Sequence, residues 1–213
     1  MIKFYNKPEC PFCYRVRLAM SSLGVAYESL PHDDPQHERE WRSLTHARTV
    51  PVMVDGDLVL TDSSVMLEYL QDLHGGHLPA DPGDRAQVRS LVQYADNPLG
   101  RGSREIVFAK RGIPQADWDA ERIATGTREF LDALPELAER LGDREFFSDH
   151  YSVADAALSG RFALTAAYGL EIPARFENLA RWFESRLKDE FFVSASPPVV
   201  TSWLADRSVR EAS

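Results

Sequence analysis

Hydrophobic positions in the first third of the chain switch between two spacings. Residues 2–5, Ile-Lys-Phe-Tyr, form a short β-prone run. Val16, Ala19, Met20 and Leu23 then recur at i, i+3, i+4 and i+7, which predicts an amphipathic helix over 11–23. Gly24 follows at the position where a helix-ending residue takes a left-handed backbone. Weak alternation over 25–30 predicts a second strand. The polar stretch 34–44 predicts a short second helix anchored by Trp41. Residues 50–54 and 58–60 are apolar and flank Asp55-Gly56-Asp57, a hairpin signature. Pro51 has no N–H to donate, so it belongs at a sheet edge or at a special local geometry. Thr61-Asp62-Ser63 precedes a stripe of Met66, Tyr69, Leu70 and Leu73, a third helix. The element order is β-α-β-α-β-β-α.

Beyond that point the pattern is helical. Residues 74–84 are rich in Gly, Pro and Asp and read as a linker, dividing the chain into 1–75, a linker over 76–84, and an all-helical 85–213. A helix runs from 85 to Lys110-Arg111, bent or broken at Asn97-Pro98 and stopped by Gly112 and Pro114. Phe130, Leu131, Leu134, Leu137, Ala138 and Leu141 mark another helix that contains Pro135. Ser152 and Asp155 stand three apart before a strongly apolar run, the spacing of a capping box. A helix so apolar belongs in the middle of a bundle. Leu179, Trp182, Phe183 and Leu187 supply one more amphipathic face.

Composition narrows the class. The net charge of −9 argues against a nucleic-acid-binding surface. No stretch is long and apolar enough to span a membrane, and Lys3, Lys7, Pro8 and Glu9 interrupt any apolar leader. A cytoplasmic location is the expectation. The two cysteines are both in Cys10-Pro11-Phe12-Cys13, between the first strand and the first helix. In a reducing compartment such a pair reads as catalytic or redox-active rather than structural. A cysteine at a helix N-terminus meets unpaired N–H groups and the positive end of the helix dipole, both of which favour thiolate. Cys10 is the candidate nucleophile; Cys13 is either a resolving thiol or a small buried residue. A zinc site needs four ligands, and no second cysteine pair exists, so no metal is expected. Lys7, Arg15 and Arg17 are placed to stabilise the thiolate, with Glu9 opposing; as helix-face residues the arginines read as solvated charges. His74 and His77 read as exposed linker residues.

Three separated landmarks resemble the cytosolic glutathione transferase superfamily. Residues 10–17, Cys-Pro-Phe-Cys-Tyr-Arg-Val-Arg, look like the active-site segment of its glutaredoxin-like and omega-type members. Residues 49–55 with Thr61-Asp62-Ser63 look like its glutathione site, and Ser152-Val153-Ala154-Asp155 like its capping box. The resemblance implies a thioredoxin-like α/β domain followed by an all-α helical bundle. It implies glutathione as co-substrate, held by Pro11, Phe12, Val50, Pro51, Asp62 and Ser63. Pro51 would be a cis-proline, Val50 would pair with the cysteinyl part, and Asp62 and Ser63 would take the γ-glutamyl end. Tyr94, Asn97 and Arg101 would border a second-substrate pocket, and the protein would be a homodimer.

Cysteine in place of the Tyr or Ser of conjugating relatives implies glutathione-dependent thiol–disulfide exchange, with dehydroascorbate reduction as a side activity. Two alternatives stay open. One is a transferase that conjugates or cleaves electrophiles with glutathione. The other is a non-catalytic, partner-binding protein of the same fold.

Overall fold

Phe4 and Tyr5 are neighbours on one strand, yet each is fully buried in a different core. Strand alternation explains this, because successive side chains leave opposite faces of the sheet. The computed structural model describes residues 1–46 and 48–211, so the last two positions of the expected helical domain lie outside the described residues. Strand β1 (Ile2–Asn6) pairs in parallel with β2 (Tyr27–Pro31) and antiparallel with β3 (Val52–Asp55), which pairs antiparallel with β4 (Leu58–Leu60). The sheet order is β2-β1-β3-β4. Helices α1 (Pro11–Ser22), α2 (Pro35–Leu44) and α3 (Ser63–His74) complete the expected β-α-β-α-β-β-α order, a thioredoxin-like domain. Trp41 of α2 joins Tyr5, Leu30 and Val52 in the smaller core on one face of the sheet. The larger core continues from the other face into the helical domain.

The boundaries shift for local reasons. Gly24, at φ +66°, ends α1; its N–H bonds to the Ser21 carbonyl and that of Val25 to the Met20 carbonyl, the paired closure of a Schellman motif. This closure occupies Val25, so β2 starts at Tyr27 rather than 25. Pro51 lies outside the ladder, and β3 begins at Val52.

The helical domain comprises α4 (Pro82–Asp96), α5 (Pro98–Lys110), α6 (Ala120–Leu141), α7 (Val153–Ala167), α8 (Glu177–Arg186), α9 (Glu190–Ala195) and α10 (Pro198–Glu211). Helix α4 starts inside the stretch read as linker, because Asp81 caps it through the Gly83 and Asp84 amides and Pro82 occupies its first position. Asn97-Pro98 divides α4 from α5. His77, read as exposed, is buried: its N–H donates to Gln71 Oε1, and its ring meets Ser22 Oγ. Its pKa drops to about 4, chiefly through desolvation. Helices α5 and α6 cross closely at Gly102, where a Cβ would stand 2.4 Å from the Phe130 amide nitrogen.

Helix α7 is buried on all sides and packs against α1, α4, α5, α8 and α10. Its capping box is formed in full. Asp155 also reaches beyond the cap: Oδ1 accepts from Trp182 Nε1 (2.9 Å) and the Phe147 amide (3.2 Å), and Oδ2 from the Ser152 amide and hydroxyl. One buried carboxylate therefore ties the start of α7 to α8. Asp155→Ala would strand these buried donors and is expected to lower stability by about 3 kcal/mol. Urea unfolding checks this; a loss below about 1 kcal/mol would contradict the assignment.

Candidate active site

Beyond β1 the chain turns back on itself, with the Cys10 amide donating to the Lys7 carbonyl at 3.2 Å. Cys10 thereby becomes the N-cap of α1, in extended backbone, with Pro11 at the first helical position. Its side chain makes no cap bond. The turn is held from beneath by Arg17, which is buried. Its guanidinium donates to Asn6 Oδ1 (3.1 Å), to the Pro8 carbonyl (2.7 Å) and, from Nε, to the Ala195 carbonyl (3.0 Å). Arg15 is buried as well and donates to both carboxylate oxygens of Asp96 at 2.9 Å and to Ser63 Oγ at 2.6 Å. Both arginines were expected in solvent. Each instead finds several acceptors that offset the cost of burial, although Arg15 Nε is left without one.

The two cysteines are driven apart in acidity. The Cys10 thiol falls from its ordinary 9.0 to about 6. The main cause is a hydrogen bond from the Cys13 side chain. The amides of Cys13 and Phe12 and the charge of Arg161 add to it, while burial opposes. Cys13 is fully buried, and burial pushes its thiol well above the usual value. One sulfur is a thiolate at neutral pH, and the other is the donor that keeps it so.

The Val50 carbonyl oxygen lies 3.9 Å from Cys10 Sγ, and the Val50–Pro51 peptide is cis. Asp62 caps α3, its Oδ1 accepting from the Ser64 and Val65 amides. Ser63 follows at the first helical position, buried, with its hydroxyl accepting from Arg15.

Residues 4–78 match the Glutathione S-transferase, N-terminal domain, and residues 120–185 the Glutathione S-transferase, C-terminal domain. The chain belongs to the glutathione S-transferase superfamily. It is similar to Glutathione S-transferase U2 of Arabidopsis thaliana, 28% identical over 200 residues that cover 88% of this chain and 84% of that protein. It is also similar to the probable glutathione S-transferase GSTU1 of Oryza sativa subsp. indica, 36% identical over 149 residues, 64% of this chain and 60% of that one. Among solved structures, a glutathione S-transferase from Rhodospirillum rubrum F11 superposes with a TM-score of 0.81 at 22% identity, covering 93% of this chain and 96% of that one. A glutathione transferase from Pseudomonas putida, solved with glutathione disulfide bound, gives 0.76 at 21% identity over 91% and 90% of the two chains.

In this glutathione S-transferase superfamily member, Cys10, Pro11, Phe12 and Val50 share the wall of a cavity of about 270 Å³ between the two domains. Cys13 lies beneath it, and Asp62 and Ser63 mark the start of α3. The helical-domain side of the cavity is formed by Asp96, Gly100, Ser103, Arg104, Val107, Phe108 and Arg111, together with Arg161 and Leu164 of α7. Tyr94, Asn97 and Arg101, the residues expected there, do not line it. Tyr94 donates its hydroxyl to the Ala133 carbonyl of α6, Asn97 is exposed at the α4–α5 junction, and Arg101 points to solvent. The expected trio and the observed lining are both helical stripes; they occupy different faces of the same segment.

Arg161 and Asp96 were not anticipated. A usable signal was present, since Arg161 interrupts an otherwise apolar helix and a buried guanidinium requires a counter-ion.

Iodoacetamide alkylation of Cys10 is expected to titrate with a midpoint near 6, and Cys13→Ala is expected to move that midpoint upward. An ordinary thiol midpoint, or no change in Cys13→Ala, would refute the arrangement. Because Cys10 is more acidic folded than unfolded, its ionisation stabilises the fold. That contribution is complete above the unfolded value of 9.0 and is lost as pH falls through about 6.

Proposed function

We propose that this protein is a glutathione transferase that works through the Cys10 thiolate and exchanges a glutathionyl group between sulfurs. The observation that carries the reading is the placement of the two cysteines: Cys10 at the N-terminus of α1 on the cavity wall, and Cys13 fully buried one turn further in. Glutathione would lie against the thioredoxin-like domain. The Val50 backbone would pair with the cysteinyl unit beside Pro11, Phe12 and Pro51. The second oxygen of Asp62 would meet the γ-glutamyl ammonium, and the Ser63 hydroxyl, already an acceptor for Arg15, would donate to the carboxylate.

The exchange runs in two displacements. The Cys10 thiolate attacks the glutathionyl sulfur of a mixed disulfide; a new S–S bond forms, the old one breaks, and the substrate leaves as a thiolate that takes a proton from solvent. A glutathione thiolate then attacks the adduct, releasing glutathione disulfide and restoring Cys10. Cys13 is a poor second attacker, because burial keeps it protonated. A one-thiol route is therefore preferred, with Cys13 as an activating donor.

A second reading is favoured by the relatives, which are named glutathione S-transferases. In it, glutathione itself attacks a small electrophile, and Cys10 assists without forming a mixed disulfide. Turnover of a glutathionylated thiol and of an aryl halide by the two variants separates these chemistries. Cys10→Ser is expected to lower disulfide exchange by at least about a hundredfold, while Cys13→Ser keeps a measurable one-thiol rate. Full exchange activity in Cys10→Ser would end the first reading. Fast aryl-halide turnover that survives Cys10→Ser would establish the second.

A further inference from the structure

The cavity beside Cys10 carries a charge opposite to that of the chain. The protein as a whole has a net charge of −9. The cavity walls set Lys7, Arg104, Arg111 and Arg161 against Glu9, Asp96 and the Cys10 thiolate, which leaves a smaller but still positive balance. Asp96 is already engaged by Arg15 and Arg161, whereas Glu9 accepts from the neutral Tyr168 hydroxyl and keeps its charge. Arg104 pairs with Glu105 at 3.2 Å. Lys7 and Arg111 remain; among the described residues neither has a carboxylate within ion-pair distance. Arg111 is held over the Phe108 ring, 5.0 Å from its centroid. The rest of the lining is apolar: Phe12 and Phe108 are 37% and 43% exposed, while Val107 and Leu164 form a drier floor. At about 270 Å³ the space lies at the small end of ligand cavities.

We propose that this cavity selects a small amphipathic anion, with an aryl or branched-alkyl body against Phe12, Phe108, Val107 and Leu164 and a carboxylate or similar head on Arg111 and Lys7. That this occupant is the second substrate rests on the function proposed above; its binding preference does not. A guanidinium already packed on a ring loses little freedom when it takes a carboxylate, and it can do so through two parallel hydrogen bonds. A cationic recess in an anionic protein also concentrates small anions at its mouth. A neutral molecule of the same shape would keep the apolar contacts and lose the head-group pairing.

Calorimetry on the full chain with para-tert-butylbenzoate and its uncharged amide tests this, with and without S-methylglutathione. The carboxylate is expected to bind at least about tenfold more tightly than the amide. That preference should fall to about threefold or less in Arg111→Leu and persist with S-methylglutathione bound. Lys7→Met, a second surface change, should reduce it as well. Equal affinities, or a preference unmoved by either substitution, would overturn the proposal. So would a preference abolished by S-methylglutathione, which would assign the cations to the tripeptide's own carboxylates. Because the readout is binding, absence of glutathione turnover with the preference intact would overturn the proposed function and support this inference.

Discussion

Two buried guanidiniums share one carboxylate at the centre of this molecule. Arg15 on α1 and Arg161 on α7 have side chains only 3% and 7% exposed, and both reach Asp96 at the end of α4. Taking such charges out of water is expensive, and the expense is recovered only with good geometry and satisfied donors. Here Arg15 holds both oxygens of Asp96 through Nη1, while Ser63 and Ser64 accept from Nη2 and only Nε lacks a partner. Both guanidiniums also meet the Phe12 ring, with their carbons 5.2 and 5.1 Å from its centroid. Gly100 leaves the room, since a Cβ there would stand 3.2 Å from Arg161 Cζ. One carboxylate cannot neutralise two guanidiniums. The surplus positive charge stands beside the sulfur that the first turn of α1 makes acidic.

This cluster joins the two domains and shapes the space between them. Helix α1 brings Arg15, Arg17 and Tyr14 into contact with α3, α7 and α9 and their flanks. Tyr14 shares a hydrogen bond with Ser196 at 2.6 Å, and Arg17 reaches the Ala195 carbonyl. The helix that presents Cys10 is thus clamped along its length by the helical domain. A thiolate at its N-terminus acts from a rigid element, which suits chemistry that depends on a fixed approach angle. The fold sets the sulfur; the α5 face sets what reaches it.

Local rules made much of this legible before the structure. Pro11 and Gly24 bracket α1, Gly56-Asp57 turns the hairpin, and Ser152 with Asp155 starts α7, because each rests on backbone chemistry confined to a few residues. The placement of the cysteine pair at a helix start was legible for the same reason. The far wall of the cavity was not. Asn97-Pro98 divides two helices, and the face that meets Cys10 is set by how α5 packs against α6 at Gly102, a tertiary fact. Tyr94, Asn97 and Arg101, expected there from the resemblance, do not line the cavity. The burial of Arg15 and Arg17 was hidden similarly, since their acceptors are scattered from Asn6 to Ala195 along the chain. Helix α9 has only six residues, too few to show a repeat.

The account turns on whether the Cys10 sulfur accepts a glutathionyl group. Intact-mass measurement of the Cys13→Ser protein after incubation with oxidised glutathione asks this directly, since no second thiol remains to displace the adduct. A gain of one glutathionyl group, mapped by peptide analysis to Cys10, is the expected result. An unmodified folded protein, with the group taken up only after denaturation, would contradict it.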